Sequence, residues 1–141
     1  MVIIMKRILF MLLSGMLALT GCAAAAPEAP GKESGAYRQI GAAEAAEIME
    51  KESDYIILDV RTQEEYETTH IPGAICIPNE TIGTGEIPGL PDKDQLILVY
   101  CRSGNRSKQA SEKLVKLGYT NIVEFGGINS WTGETVSGSG G

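Results

Sequence analysis

The residues best suited to chemistry lie in one short run, Cys101–Ser107, with the sequence CRSGNRS. The apolar run QLILVY at 95–100 comes directly before it and is typical of a buried parallel strand. A helical pattern follows, so the Cys101 thiol is expected to emerge where the strand ends. Ligands of open α/β sheets bind at the carboxyl ends of their strands. The sequence therefore places a potential nucleophile at the favoured site of such a sheet.

The loop after Cys101 has the composition of an anion-binding site. A turn at Gly104 can direct successive backbone N–H groups inward, and the start of the next helix closes this nest. Arg102 and Arg106 add two formal positive charges, and both effects lower the pKa of a cysteine. The alternative is a buried, inert cysteine beside two surface arginines. We predict Cys101 as the catalytic residue, with a substrate-binding loop made of Arg102, Ser103, Gly104, Asn105, Arg106 and Ser107.

Strand and helix patterns alternate between residues 37 and 134, which predicts an α/β domain with a largely parallel sheet. The expected strands are residues 55–60, 74–77, 95–100 and 121–125. The expected helices are residues 64–69, residues 107–118 with Gly118 as the residue that ends the helix, and a helix with an apolar stripe at 42–49. Residues 79–93 are rich in Gly and Pro and predict a loop, whereas Gly126 and Gly127 allow a tight turn into a short helix by residue 131.

The composition restricts the class of protein. A chain of 141 residues that is 43% hydrophobic suits one globular domain. Twelve basic residues against eighteen acidic ones give a net charge of -6, so no nucleic-acid partner is expected. Three cysteines and one histidine are too few for the usual structural zinc sites. Neither a metal nor an organic cofactor is expected.

The first 21 residues have the pattern of a secretory signal peptide. Lys6 and Arg7 precede an apolar run at residues 8–20, which is short for a helix that spans a membrane; an uncleaved anchor is the alternative. The residues Leu19-Thr20-Gly21-Cys22 resemble the lipobox of bacterial lipoproteins, in which the cysteine is lipidated and becomes the mature N-terminus. A chance cysteine after an ordinary secretory signal is the alternative for Cys22.

These patterns divide the chain into four segments: a lipoprotein signal peptide at 1–21, a lipidated tether at 22–36, a folded domain at 37–134 and a flexible tail at 135–141. The tether is predicted from its small residues, its prolines and its lack of apolar periodicity. Lipid chains on Cys22 would hold the mature protein on a membrane of the cell envelope, facing outside the cytoplasm.

Several segments of residues 37–134 resemble, in order, the recurring motifs of the single-domain rhodanese family of sulfurtransferases. They are LDVR at 58–61 with EEY at 64–66, HIPGA at 70–74, the loop CRSGNRS, and FGGI at 125–128 with Trp131. The resemblance implies a parallel five-stranded sheet flanked by helices, and a cysteine that carries sulfur as a persulfide. Four residues, 102–105, separate Cys101 from Arg106, whereas the related dual-specificity phosphatases have five. The shorter loop makes a smaller nest, which suits one added sulfur atom.

The resemblance implies the activity of a thiosulfate sulfurtransferase. The Cys101 thiolate would take the outer sulfur of thiosulfate or a similar anionic donor, and the persulfide would pass it to cyanide or a thiol. The alternative is an envelope module that carries persulfide, or binds a partner, with little free turnover. Phosphatase or arsenate-reductase chemistry is disfavoured by the length of the loop. No particular protein partner is predicted.

Residues near the loop have alternative interpretations. Asp59 and Arg61 are possible supporting residues. Asp59 could orient an arginine near the loop, and Asp–Arg packing between strand ends is the alternative. His70 is the only histidine and is assigned a structural role in a turn, with a cysteine–histidine dyad as the alternative. Cys76 is interpreted as a small buried hydrophobe instead of a resolving thiol, and Trp131 as a core residue.

Overall fold

The fold is described by a computed structural model for residues 37–140. The strands are Arg38–Gln39 (β1), Tyr55–Asp59 (β2), Ile75–Cys76 (β3), Leu96–Cys101 (β4) and Ile122–Gly127 (β5). They form one parallel sheet in the order β1-β5-β4-β2-β3, and this arrangement confirms the five-stranded α/β architecture. Apolar runs predict four of these strands. The fifth, β1, has two residues and carries no such run, because neither arginine nor glutamine is apolar.

The helices flank the sheet, and they are Ala42–Lys51 (α1), Gln63–Thr68 (α2) and Asn105–Lys116 (α3), with 3₁₀ turns at Asn79–Thr81 and Ile128–Ser130. Helix α2 begins one residue before its predicted start and is capped by Thr62, whose hydroxyl accepts from the Glu65 amide and whose amide donates to the Glu65 carboxylate. Helix α3 begins two residues before its predicted start, directly after Gly104, which has a φ of 110°. Gly118, with a φ of 92°, follows α3 as predicted.

The sheet separates two hydrophobic layers. Side chains alternate along β4, so that Val99 and Cys101 face α3 while Leu98 and Tyr100 face α1 and α2. These four side chains are buried. The alternation brings the Cys101 thiol to the layer between the sheet and α3.

The strand β5 carries one residue more than β4 near the carboxyl end of the pair. Val99 pairs with Glu124 and Cys101 pairs with Gly127, so two steps along β4 match three steps along β5. Gly126 lies within this β-bulge and has a φ of 85°, a left-handed conformation that favours glycine. Bulges bend a strand and redirect its side chains. This bulge lies directly beside Cys101.

The chain beyond residue 134, where we predicted the end of the domain, packs beside α2. His70 and Val136 exchange two backbone hydrogen bonds of 2.8 and 2.9 Å, and the Gly138 amide donates to the Glu67 carbonyl at 2.8 Å. Backbone hydrogen bonds therefore reach into the segment at 135–141 that we predicted as a flexible tail.

The predicted signal peptide at 1–21, the lipidation site Cys22 and the tether at 22–36 lie outside the described residues. Within residues 37–140, the helices are too short or too polar to cross a membrane.

Candidate active site

Cys101 is the last residue of β4, and its sulfur atom lies inside the loop that follows. The Gly104 amide donates a hydrogen bond to Cys101 Sγ at 3.0 Å, and the Ser107 hydroxyl oxygen lies 3.5 Å from the same sulfur. The left-handed conformation of Gly104 reverses the loop, so that its amide faces the sulfur. Cys101 is only 1% exposed. The predicted turn at Gly104 therefore supplies a hydrogen-bond donor to the predicted nucleophile.

Two opposed effects act on the pKa of the Cys101 thiol. Burial raises the pKa, because the charged thiolate loses contact with water. Hydrogen bonds from the side chain and amide of Ser107, and from the amides of Gly104 and Ser103, stabilise the thiolate and lower the pKa. The hydrogen bonds outweigh burial, and the pKa of Cys101 lies below the ordinary value of a cysteine. The loop thus favours the reactive form of the sulfur.

Gly127 lets the loop lie directly against β5. A β-carbon at this position would lie 2.1 Å from the Arg102 carbonyl oxygen and 2.5 Å from the Ser103 amide nitrogen, distances that no real side chain tolerates. Gly127 has an extended backbone with a φ of -148°, which any residue can adopt. Glycine is needed here because the loop backbone lies very close to β5, and not because of a turn. Only Gly126 of the predicted glycine turn has a left-handed conformation. The second glycine is required by contact with the loop.

Arg106 lies in the first turn of α3 and is held by a carboxylate from α2. Its Nη1 and Nη2 atoms donate to Glu65 Oε2 at 2.6 Å and to Glu65 Oε1 at 2.9 Å. This two-point pairing lowers the pKa of Glu65 to about 2, with a further contribution from the Thr62 amide. The negative charge of a Cys101 thiolate also raises the pKa of Arg106, after the larger effect of Glu65. Arg106 is therefore a fixed positive charge whose field reaches the sulfur.

The other polar residues predicted in the loop lie at its surface. Arg102, Ser103 and Asn105 are exposed, and the Arg102 carbonyl accepts a hydrogen bond from the Asn129 amide at 3.2 Å. The two arginines therefore differ: Arg106 is partly buried and paired, whereas the Arg102 side chain lies in solvent. An incoming anion could contact Arg102 without displacing another protein group.

Ser107 connects the sulfur to a carboxylate that the sequence interpretation missed. The Ser107 hydroxyl lies 2.6 Å from Glu124 Oε1, and the same carboxylate oxygen accepts from the Gly126 amide at 2.8 Å. Ser107 and Glu124 are 0% and 2% exposed. A charged residue inside the otherwise apolar strand IVEF was the signal that could have found Glu124, since strand alternation places it on the face of the sheet that carries Cys101.

Asp59 and Arg61 form a buried ion pair with each other. The guanidinium donates to Asp59 Oδ1 at 2.9 Å and to Asp59 Oδ2 at 2.6 Å, and its Nη2 atom also donates to the Thr69 carbonyl at 2.6 Å. The Arg61 guanidinium lies 5.7 Å from the centre of the Tyr100 ring. Asp59 therefore pairs with Arg61 between strand ends, and the arginines of the loop have other surroundings. The pair contacts Tyr100, the residue directly before Cys101 in β4.

His70 and Cys76 have surroundings separate from the Cys101 sulfur. The His70 ring stacks on Tyr66 with centroids 3.7 Å apart, and its Nδ1 atom lies 2.8 Å from the Tyr66 carbonyl oxygen. The Cys76 thiol donates to the Arg61 carbonyl at 3.6 Å. Burial, followed by the charge of Asp59, raises the pKa of Cys76 to about 11. Neither side chain takes part in the hydrogen bonds around Cys101.

Trp131 differs from its predicted place in the core. Its ring packs on Phe125 with centroids 6.0 Å apart, but it remains partly exposed. Its indole N–H donates to the Glu134 carbonyl at 3.0 Å, and this polar contact keeps one edge of the ring at the surface. Across residues 37–140, no three side chains of the His, Cys, Asp or Glu types are grouped so as to hold a metal ion.

Residues 41–134 match the family described as "Rhodanese-like domain". The chain belongs to the rhodanese-like family. Its relatives include the "Thiosulfate sulfurtransferase PspE" of Escherichia coli strain K12, which is 37% identical over 81 residues, or 57% of this chain and 78% of that protein. The "Putative sulfur carrier protein YrkF" of Bacillus subtilis strain 168 is 38% identical over 84 residues, or 56% of this chain and 42% of that protein.

Solved rhodanese structures share the fold. The structure described as "rhodanese with anions from E. coli" matches with a TM-score of 0.55 and 36% sequence identity, and the match covers 60% of this chain and 99% of that one. The rhodanese-like match includes β4, the loop from Cys101 to Ser107 and β5. The candidate site therefore lies within the part of the chain that the family shares.

Proposed function

We propose that this rhodanese-like protein transfers sulfane sulfur through a persulfide on Cys101. One observation carries the proposal: a buried cysteine at the carboxyl end of β4 accepts the Gly104 amide at 3.0 Å and has a lowered pKa. A thiolate, not a thiol, is the nucleophilic form of cysteine. The names of relatives support sulfur chemistry at such a site, because they include a thiosulfate sulfurtransferase and a putative sulfur carrier.

The reaction would proceed in two displacement steps. In the first, the Cys101 thiolate attacks the outer sulfur of thiosulfate, a new S–S bond forms, and the S–S bond of thiosulfate breaks with its electron pair leaving on sulfite. In the second, cyanide or an acceptor thiolate attacks the outer sulfur of the persulfide. The bond to Cys101 Sγ breaks and its electron pair returns to the cysteine as a thiolate. Atoms and charge balance without any external oxidant or reductant.

The loop would stabilise negative charge in both steps. The Gly104 amide already points at Cys101 Sγ, so a thiolate forms and returns in a prearranged field of donors. Arg106, fixed by Glu65, places a positive charge near the sulfur, and the exposed Arg102 can contact the anionic end of the donor. Bidentate pairing with Glu65 fixes the geometry of Arg106 before the donor arrives.

A carrier that delivers persulfide to a partner protein is the second candidate function. The similarity to a protein named as a putative sulfur carrier favours it, although this chain spans less than half of that relative. The same Cys101 persulfide serves both functions, so the difference lies in the second step. A carrier would form the persulfide and hold it until a protein acceptor binds, whereas an enzyme would turn over with small acceptors.

Mass spectrometry of the purified full chain tests the proposal. Thiosulfate should add about 32 Da, one sulfur atom, to Cys101, and cyanide should remove it. Steady-state release of sulfite with cyanide or a small thiol, with ping-pong kinetics, indicates the enzyme. Loading of Cys101 without turnover indicates the carrier. A Cys101 that never gains sulfur from thiosulfate contradicts the proposed function.

We also propose that the protein is anchored to a membrane of the cell envelope by lipid chains on Cys22. The supporting observation is the sequence LTGC at 19–22 after a short apolar run with Lys6 and Arg7 before it. The tether at 23–36 would span roughly 40 Å if extended at about 3.1 Å per residue, which separates the domain from the lipid headgroups.

A further inference from the structure

The Ser107 hydroxyl has more acceptors around it than it has protons. Its oxygen lies 2.6 Å from Glu124 Oε1, 2.9 Å from the Gly104 carbonyl oxygen, 3.2 Å from the Gly126 carbonyl oxygen and 3.5 Å from Cys101 Sγ. A hydroxyl group donates one hydrogen bond only. The two carbonyl oxygens and an ionised carboxylate can only accept. The single hydroxyl proton of Ser107 therefore serves only one of these acceptors at a time, and the Glu124 oxygen is the nearest.

This arrangement connects Cys101 to Glu124 through one hydroxyl group. When Cys101 carries its proton, the thiol can donate to Ser107 Oγ while the hydroxyl donates to an ionised Glu124. When Cys101 is a thiolate, the Ser107 hydroxyl can donate to the sulfur beside the Gly104 amide, which donates to it at 3.0 Å. When the hydroxyl turns to the sulfur, Glu124 Oε1 keeps the Gly126 amide as a donor at 2.8 Å, and a proton on the carboxyl group lets Glu124 donate to Ser107 Oγ in turn.

We propose that Ser107 and Glu124 form a proton relay that removes the proton from the Cys101 thiol. The proposal rests on the proposed function, in which Cys101 is the nucleophile. Glu124 acts through Ser107 and is therefore a positioning residue, whereas Ser107 contacts the reacting sulfur itself. The carboxylate is set in place by the Gly126 amide, which donates to Oε1 at 2.8 Å from within the bulge of β5.

The relay conserves atoms and charge. The S–H bond of Cys101 breaks and its proton binds to Ser107 Oγ, while the original hydroxyl proton of Ser107 passes to Glu124 Oε1. A thiol and a carboxylate become a thiolate and a carboxylic acid, and Ser107 stays neutral. No group is oxidised or reduced. The reverse movement returns the proton when the persulfide has given up its outer sulfur.

The charged and titratable groups near Ser107 and Glu124 come from three neighbouring elements. They are Lys108 and Arg106 on α3, Glu44 on α1 and Cys101 on β4. Arg106 is paired with Glu65. From β1, the uncharged Gln39 pairs with Glu124 in the sheet. Glu124 and Lys108 line a cavity of about 330 Å³ whose lining does not include Cys101. A proton on Glu124 can therefore exchange with solvent through this cavity, without passing the loop that follows Cys101.

The test is the pH dependence of Cys101 alkylation by iodoacetamide. The full chain carries Cys22→Ser and Cys76→Ser, so that Cys101 is the remaining thiol. The relay predicts two steps in the rate between pH 4 and 10, because the thiolate would form first with its proton held by the carboxyl group and then again when that proton leaves. Between the steps the rate should form a plateau below its maximum. Glu124→Gln cannot accept a proton and should give one step, with the full rate reached below the upper step of the parent.

Glu112→Gln is the matched control, because it removes the same charge from an exposed position on α3 and should leave both steps in place. One step in the parent protein overturns the relay. If Glu124→Gln does not fold, infrared spectroscopy of the parent protein takes the place of the alkylation experiment on the variant. At the plateau they should show a protonated carboxyl group that disappears when Cys101 is alkylated, and an unchanged band overturns the relay.

Loading of Cys101 with sulfur from thiosulfate, measured on the same samples, separates this inference from the proposed function. One alkylation step with normal loading removes the relay and leaves the function standing. Two steps without loading support the relay and contradict the function.

Discussion

Arg106 and Glu65 meet through two parallel hydrogen bonds, Nη1 to Oε2 at 2.6 Å and Nη2 to Oε1 at 2.9 Å, although 41 positions separate them in the chain. The pair joins the first turn of α3 to the first turn of α2. Glu65 also accepts a hydrogen bond from the Thr62 amide at the start of α2, so one carboxylate both caps a helix and fixes an arginine of the loop that follows Cys101. The position of α2 therefore influences the electrostatics of Cys101.

Glu65→Gln should weaken the use of thiosulfate by releasing Arg106. The arginine keeps its charge but loses its two-point partner, so we expect the KM for thiosulfate to rise about fivefold, equivalent to about 1 kcal/mol, with a smaller change in kcat. Steady-state kinetics with varied thiosulfate measures this effect. Glu64→Gln, an exposed carboxylate in the same turn of α2, should leave KM unchanged. Equal effects of the two variants would argue against a specific role of the pair.

The same carboxylate should make stability depend on pH in the acid range. Pairing with Arg106 lowers the pKa of Glu65 from 4.5 to about 2. A group whose pKa is lower in the folded state stabilises the fold at pH values above its pKa in the unfolded state. This stabilisation is lost as the pH falls from 4.5 through 2. The free energy of unfolding, measured with urea, should therefore fall more over this pH interval for the parent than for Glu65→Gln. Parallel curves for the two proteins would contradict the assigned pairing.

The thiols of Cys101 and Cys76 should react with iodoacetamide at very different rates. Hydrogen bonds lower the pKa of Cys101, whereas burial and the charge of Asp59 raise the pKa of Cys76 to about 11. At pH 7 only about one Cys76 in 10,000 is a thiolate. Cys101 should react at least about a hundredfold faster, as shown by peptide mass analysis of a Cys22→Ser chain. The rapid alkylation is assigned to Cys101. This assignment would be wrong if the rapid reaction were lost in Cys76→Ser or retained in Cys101→Ser.

Gly127→Ala should displace the loop that follows Cys101. The new β-carbon would lie 2.1 Å from the Arg102 carbonyl oxygen, and the backbone atoms it meets cannot turn away as a flexible side chain can. We expect a loss of about 1–3 kcal/mol in the free energy of unfolding and a fall of at least about tenfold in kcat/KM. Gly83→Ala is the control, because a β-carbon there meets nothing within 4 Å. Normal sulfur transfer by Gly127→Ala would show that the loop tolerates the displacement.

Cys22→Ser should detach the protein from membranes. The parent, expressed in a bacterium with labelled fatty acid, should incorporate label and sediment with the membrane fraction. Lipid chains contribute about 0.8 kcal/mol per buried CH₂, so their removal should release the chain to the soluble fraction. Cys76→Ser is the matched control and should stay labelled and membrane-bound. A parent chain that is soluble and unlabelled would reject the lipidation of Cys22.

The strands and helices were predictable where their signals are local. The run LILVY identifies β4, and the apolar stripe of residues 42–49 identifies α1. The two-residue strand β1 carries no periodicity, and its pairing with β5 depends on contacts across more than 80 positions. Helix starts shifted by one or two residues because caps at Thr62 and Gly104 determine them.

The site was predictable for the residues that are contiguous with Cys101. The loop to Ser107, with its turn at Gly104, was read from seven adjacent positions. Glu65 and Glu124 were missed as partners because they reach the loop only after α2 and β5 pack against α3. Their charges in the sequence say nothing about which arginine or hydroxyl they will contact.

The bulge in β5 shows how little sequence change separates a plain sheet from this site. If Gly126 were absent, the count of residues between Glu124 and Gly127 would match that between Val99 and Cys101, and the two strands could pair without interruption. The carboxylate would then lose the amide that holds it, and Ser107 would lose a carbonyl neighbour. In evolutionary terms, insertion of a single glycine is sufficient to give a buried carboxylate beside a thiol its own backbone donor without redesign of the sheet.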